Sequence, residues 1–258
     1  MKNYLVDAFT KEIFKGNPAA VCIVNAFPTE QLMQNIAQEN RLSETAFVVK
    51  NNAQYELRWF TPGGEIDLCG HATLAAAYVL LHFYVPTAQK IEFNTKSGQL
   101  TVSKAGGLLT MDFPAYSLKK VAVTAAMTQA LGVTPQAAYY GRDLVCVLAN
   151  EQQVKQLTPD FAQLEQLPGL LQHVTAVGNG EFDCVSRSFG PKLAVPEDPV
   201  CGSGHCHIVP LWAQKLHKTK LTALQASPRT GILYCENQGS RVKLSGYAVL
   251  YALSELQL

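Results

Sequence analysis

Charge is scarce in this chain of 258 residues: only 16% are charged, and 21 basic side chains nearly cancel 20 acidic ones, leaving a net charge of +1. A balance this close to zero provides no field for holding a polyanion, so nucleic acid is not an expected partner. With 48% hydrophobic residues, the chain is equally unlike a disordered protein. Long apolar runs are missing too. The longest, Ala72 to Val85, contains Thr73 and His82 and falls short of the ~20 residues of a membrane-spanning helix. It predicts a buried helix and no membrane partner. Asp7 interrupts the N-terminal segment where an export signal would continue its apolar stretch of ~7 to 15 residues, so no export signal is expected. The cysteines are seven, an odd number, at 22, 69, 146, 184, 201, 206 and 235. They lack the dense spacing of a secreted disulfide scaffold, which predicts reduced thiols and a cytoplasmic location.

What is present is an internal repeat. The length suits one large domain or two of about 100 to 150 residues. Strand signals at Tyr4 to Phe9, Ala20 to Val24, Ala46 to Val49 and Tyr55 to Phe60, with a helical pattern from about Glu30 to Glu39, predict a largely antiparallel sheet. Ser43 and Glu44 fall at the entry to the third strand. The fourth strand leads through Phe60-Thr61-Pro62 and an acidic loop into Leu68-Cys69-Gly70-His71 and a helix. Phe182 to Ser188 leads in the same order through Phe189-Gly190-Pro191 and Glu197-Asp198 into Val200-Cys201-Gly202-Ser203-Gly204 and another helical stretch. Cys69 and Cys201 stand 132 residues apart, about half the chain, which points to a duplicated fold. The first helix, apolar on every face, must be surrounded by sheet. Pro210 predicts that the second is bent or begins irregularly.

Two Cys-Gly helix entries have a definite chemistry. The first N–H groups of a helix lack partners and carry partial positive charge, which suits a carboxylate, and glycine lets a ligand approach them. A cysteine there is expected to have its thiolate stabilised and its pKa lowered toward neutrality. Two such entries facing one another would hold a small anionic carboxylate substrate and pass a proton across it, with no metal or organic cofactor. The remaining cysteines read as small buried hydrophobes. Cys201, His205, Cys206 and His207 crowd possible zinc ligands together, but their spacing matches no zinc framework, so no metal is expected.

These residues resemble the phenazine-biosynthesis PhzF-like family, grouped with diaminopimelate epimerase and proline racemase. The resemblance spans nearly the whole chain. It is carried by Asp7-Ala8-Phe9, Gly16-Asn17-Pro18-Ala19-Ala20-Val21, Ser43-Glu44-Thr45-Ala46-Phe47, Phe60-Thr61-Pro62, Gly70-His71-Ala72-Thr73 and Glu197-Asp198-Pro199-Val200 with Gly202-Ser203. It implies an α+β, diaminopimelate-epimerase-like fold of two pseudo-symmetric lobes, each a mostly antiparallel β-barrel around a central α-helix, with the site in the cleft between them. The lobes would be 1–114 with about 247–258, and 115–246. It also implies a homodimer, and Glu44 as the general acid/base of a cofactor-independent isomerase. Catalytic candidates are thus Glu44, Cys69, Cys201 and Asp198; substrate-binding candidates are Asn17, Gly70, His71, Gly202, Ser203 and Gly204.

Sulfur at both helix entries is a feature of diaminopimelate epimerase and proline racemase rather than of the phenazine enzymes. Three readings therefore stay open: a Glu44 isomerase, a racemase or epimerase using Cys69 and Cys201, and a small-molecule binding protein that kept the fold without catalysis.

Overall fold

The structure, a computed structural model, describes residues 1–51 and 54–258. In chain order the elements are β1 (Lys2–Ala8), β2 (Asn17–Val24), α1 (Glu30–Asn40), β3 (Glu44–Asn51), β4 (Gln54–Thr61), β5 (Gly64–Ile66), α2 (Gly70–Val79), β6 (Lys90–Thr95), β7 (Gly98–Ala105) and β8 (Leu108–Pro114). There follow β9 (Lys119–Val121), α3 (Ala125–Leu131), β10 (Ala137–Tyr140), β11 (Leu144–Val147), α4 (Glu151–Lys155), α5 (Phe161–Glu165), β12 (Gln172–Val177), β13 (Cys184–Gly190), β14 (Val195–Asp198), α6 (Gly202–Leu216), β15 (Lys220–Gln225), β16 (Gly231–Asn237), β17 (Arg241–Gly246) and β18 (Ala248–Glu255). The chain divides into two compact units, Met1–Asp112 with Ser245–Leu258, and Phe113–Leu244.

In the first unit β1 pairs antiparallel with β18 and with β2. β2 then pairs parallel with β3 across α1, β3 antiparallel with β4, β4 parallel with β6 across α2, and β6 antiparallel with β7. The second unit runs through the same succession. β10–β11 is antiparallel, β11–β12 parallel across α4 and α5, β12–β13 antiparallel, β13–β15 parallel across α6, and β15–β16 antiparallel. The repeat read from the sequence is thus a repeat of topology. A sheet of mainly antiparallel pairs was expected, and each unit adds two parallel ones. Parallel neighbours need a crossover of a dozen or more residues, and the helical segments supply it.

Helix α2 is the core of the first unit. Every residue from His71 to Ala77 is buried, as is Val79, and the helix packs against β1, β2, β3, β7 and β18. Ala72, Ala75, Ala76 and Ala77 keep it thin enough for strands to close round it. The apolar run does not stay helical to Val85 as expected. At Leu80–Tyr84 it loosens into a π turn, in which the Val85 N–H donates to the Leu80 carbonyl, and Phe83 and Tyr84 emerge to the surface. Pro86 bars any continuation, because it constrains the residue before it and offers no donor.

Helix α6 is the core of the second unit, packed on β12, β15 and β16. Contrary to the expectation from Pro210, it begins regularly at Gly202 and runs unbroken for 15 residues. The proline leaves the Cys206 carbonyl without its helical donor. The backbone N–H of Tyr116 donates to that carbonyl at 3.0 Å, so the missing bond is replaced from outside the helix.

Candidate active site

Three side chains of the first unit converge on one imidazole. Asn17 opens β2 and Glu44 opens β3, two parallel neighbours in which Ala19 lies beside Glu44. Gly16 makes the turn before Asn17: its φ is +65°, and a Cβ there would lie 2.1 Å from the Ala8 carbonyl oxygen. Cys69 is the N-cap of α2 and His71 its second residue. The His71 Nδ1 accepts from the Asn17 Nδ2 amide at 3.2 Å and lies 3.6 Å from Cys69 Sγ. Its Nε2 is 2.9 Å from Glu44 Oε2, a close ionic contact without the alignment of a hydrogen bond. The Glu44 side chain is 15% exposed against 8% for His71, so Glu44 is the more accessible member of the pair although its Oε2 is itself buried. It is not a freely solvated surface acid.

The expectation of an activated Cys69 thiolate is overturned. Burial pushes its pKa up and the nearby Glu44 charge pushes it further, outweighing His71 and the helix start. For His71 burial acts downward, but its contacts with Cys69 and Glu44 prevail and hold its pKa well above the ordinary value. Cys22, Cys146 and Cys184 are pushed to about 12 by burial, in keeping with inert core thiols.

In the second unit Asp198, Cys201, Gly202, Ser203 and Gly204 stand together at the start of α6. The Val200 N–H donates to Asp198 Oδ1 at 3.1 Å. Cys201 Sγ accepts from the Gly204 N–H at 3.3 Å and lies 3.5 Å from Ser203 Oγ, so this sulfur is a helix cap. Its pKa is also raised, well above normal, by burial and then by Asp198. Gly202 and Ser203 are half-buried, while Gly204 is fully packed: a Cβ on it would lie 2.7 Å from His173 Cε1.

Sequence reasoning missed what holds this entry in place. The Gln225 amide, at the end of β15, accepts from the Cys201 N–H at 2.8 Å and donates to the Asp198 carbonyl at 2.6 Å. Beneath Gly204, Asp143 Oδ2 lies 3.3 Å from His173 Nε2 and 3.2 Å from His207 Nε2, and His173 Nδ1 lies 2.9 Å from Ser188 Oγ. The Asp143 carboxyl is buried, but His173, His207 and Arg142 hold its pKa far below the usual range. Asp143, His173 and Ser188 have the order of a hydrolytic triad, yet all three are shut off from solvent, so they act as scaffold.

The crowded ligands at the start of α6 do not converge on one point: His205 Nδ1 bonds the Cys201 carbonyl at 2.7 Å, and His207 turns to Asp143. Among the described residues, the group able to surround an ion is Glu44, Cys69 and His71, with ligand atoms within 4.8 Å of one another.

The family model described as phenazine biosynthesis-like protein matches residues 6–253. The chain belongs to the phenazine-biosynthesis-like (PhzF) family. It is 46% identical to a Pseudomonas aeruginosa protein described as an uncharacterized isomerase, over 99% of this chain and 98% of that one. A crystal structure of a PhzF-family protein from Enterococcus faecalis superposes with a TM-score of 0.98 at 48% identity, covering 100% of this chain and 99% of the other. A probable proline racemase from Agrobacterium radiobacter, 11% identical, shares the fold with a TM-score of 0.65 over 100% of this chain and 93% of the other. The fold is therefore the diaminopimelate-epimerase-like one, a mostly antiparallel barrel around a helix in each unit. The chain is an enzyme of the isomerase and epimerase type, and the reading as a non-catalytic binder falls away. No helix among the described residues is long and apolar enough to cross a membrane.

Proposed function

We propose that this isomerase moves a proton between carbons of a small carboxylate substrate, with Glu44 as the general acid/base. The observation that carries the proposal is the Glu44 side chain, more exposed than its His71 partner, with a carboxylate oxygen 2.9 Å from a histidine whose pKa is raised. Beside the His71 imidazole, the carboxylate is held in place to remove a proton from one carbon and return it at another. Asn17 fixes the imidazole from its other side. The C–H bond electrons pass into the substrate's carbon framework as an enolate-like charge, and partial positive charge at a helix start stabilises it. These steps call for no cofactor.

In the second unit, Asp198 is assigned to catalysis and Gly202 and Ser203 to substrate on the family resemblance, and Gly204 to substrate as part of the same helix start. The homodimer rests on the same resemblance, and the cytoplasmic location on the seven reduced cysteines.

A two-cysteine racemase or epimerase using Cys69 and Cys201 is the second reading. The observation in its favour is the 3.6 Å contact from Cys69 Sγ to His71 Nδ1, across which the thiol could pass its proton. Against it, both thiols are raised in pKa and stay protonated at neutral pH. Incubation with pooled small amino and hydroxy acids in D2O, read by mass spectrometry, separates the two. Deuterium uptake lost in Glu44→Gln and kept in Cys69→Ser supports Glu44; the reverse supports the cysteines.

A further inference from the structure

The Glu44–Cys69–His71 cluster has a property that proton transfer does not use. A carboxylate, a thiol and an imidazole form a donor set that zinc takes, and three protein ligands leave a fourth position open. We propose that Glu44, Cys69 and His71 bind one thiophilic divalent cation of the Zn2+ type, and that the bound ion blocks the enzyme.

The geometry is close to what such an ion requires. With Zn–N and Zn–O near ~2.0–2.2 Å and Zn–S near ~2.3 Å, tetrahedral ligand atoms stand roughly 3.3 to 3.6 Å apart. His71 Nε2 and Glu44 Oε2 are 2.9 Å apart, so a few tenths of an ångström of opening would admit the ion between them. Neither atom has another hydrogen-bond partner, and the His71 side chain is only 8% exposed. These are two close polar atoms that do not satisfy one another. Cys69 Sγ, which lies 3.6 Å from the other ring nitrogen Nδ1, supplies the third ligand by turning toward Nε2 from within a group whose ligand atoms lie within 4.8 Å of one another.

With Nε2 on the ion, Nδ1 keeps the proton and needs an acceptor. Asn17 already faces Nδ1 at 3.2 Å, and exchanging the ends of its amide would turn its oxygen to that N–H. Binding breaks the Cys69 S–H bond. The proton leaves to water, the sulfur electron pair takes the ion, and His71 binds as neutral imidazole. A carboxylate oxygen on the ion is no longer available to remove a C–H proton. Only this inhibitory half of the proposal rests on Glu44 being the base.

The test uses the intact chain, freed of metal by chelator and dialysed against Zn2+ alone, with Co2+ as a second probe whose thiolate charge-transfer band reports a sulfur ligand. One Zn2+ per chain is expected. Cys69→Ser should lose the band and weaken Zn2+ binding by at least about 100-fold, more than an outer-shell change costs. His71→Gln should weaken it comparably if Cys69→Ser folds poorly, and Cys201→Ser should keep both stoichiometry and band. Absence of stoichiometric binding at micromolar zinc, or a band that survives Cys69→Ser and vanishes in Cys201→Ser, overturns the site. Zinc bound at Cys69 without effect on deuterium exchange overturns the inhibition. Exchange that persists in Glu44→Gln contradicts the base assignment and leaves the cation site standing.

Discussion

The two helix entries share a Cys-Gly start and a buried cysteine, and they differ in what that cysteine does. At α2 the Cys69 side chain makes no cap hydrogen bond and faces an imidazole instead, with a carboxylate beyond it. At α6 the Cys201 sulfur caps the helix, and Gln225 clamps the backbone on either side of Pro199 and Val200. One Thr73 hydroxyl bonds the Cys69 carbonyl, whereas His205 does so for Cys201, each four residues on. The first entry thus carries titratable chemistry near solvent and the second a braced backbone. Duplication repeated the scaffold, and the side chains divided the labour.

That division can be broken in graded ways. The largest effect is expected from Glu44→Gln, which should lower turnover about 10²- to 10⁴-fold, the usual worth of a positioned general base, with an unchanged melting temperature as control. Asp143→Ala should act on stability instead. It strands His173, His207 and Arg142 around an empty position, and breaking a buried pair costs about 3 to 5 kcal/mol. Denaturant titration measures this, and a loss under 1 kcal/mol would mean that the network is not a brace.

Acid should loosen the second entry. Burial lowers the His205 pKa to about 4, so the unfolded chain, with histidine near ~6.5, takes up a proton first as pH falls. Stability is then full above about pH 6.5 and declines toward pH 4, by on the order of 3 kcal/mol. Asp143, with a depressed pKa, also loses its stabilising contribution as pH falls, but only below the unfolded carboxylate value of about 3.9, outside that window. His205→Gln should flatten the slope between pH 7 and 4.5; an unchanged slope would assign it elsewhere.

Gly204→Ala should cost about 1 to 3 kcal/mol by driving a methyl group into His173. A smaller effect is expected from Cys201→Ala, roughly 0.5 to 2 kcal/mol through the lost cap. Cys69→Ala should cost less on this account, because no cap bond is lost there.

Much of this was legible in the sequence because it is local. The order of strand, Phe-x-Pro, acid, Cys-Gly and helix lies within a short stretch in each half, and an all-apolar α2 can only be central. What could not be read depends on distant partners. The bond that carries α6 through Pro210 comes from Tyr116, and Asp143 meets His207 across 64 positions, with no periodicity to announce either. The cysteine pKa direction failed for a related reason: the helix start is visible in sequence, while the burial and carboxylates that outweigh it are set by packing.

The central claim is that the carboxylate of the first entry, and neither sulfur, moves the proton. The direct measurement is solvent deuterium uptake by one responsive substrate with Glu44→Gln and with the double variant Cys69→Ser, Cys201→Ser. Uptake abolished by the first and retained by the second is the predicted result. Uptake that survives Glu44→Gln and disappears with the two cysteines would contradict it.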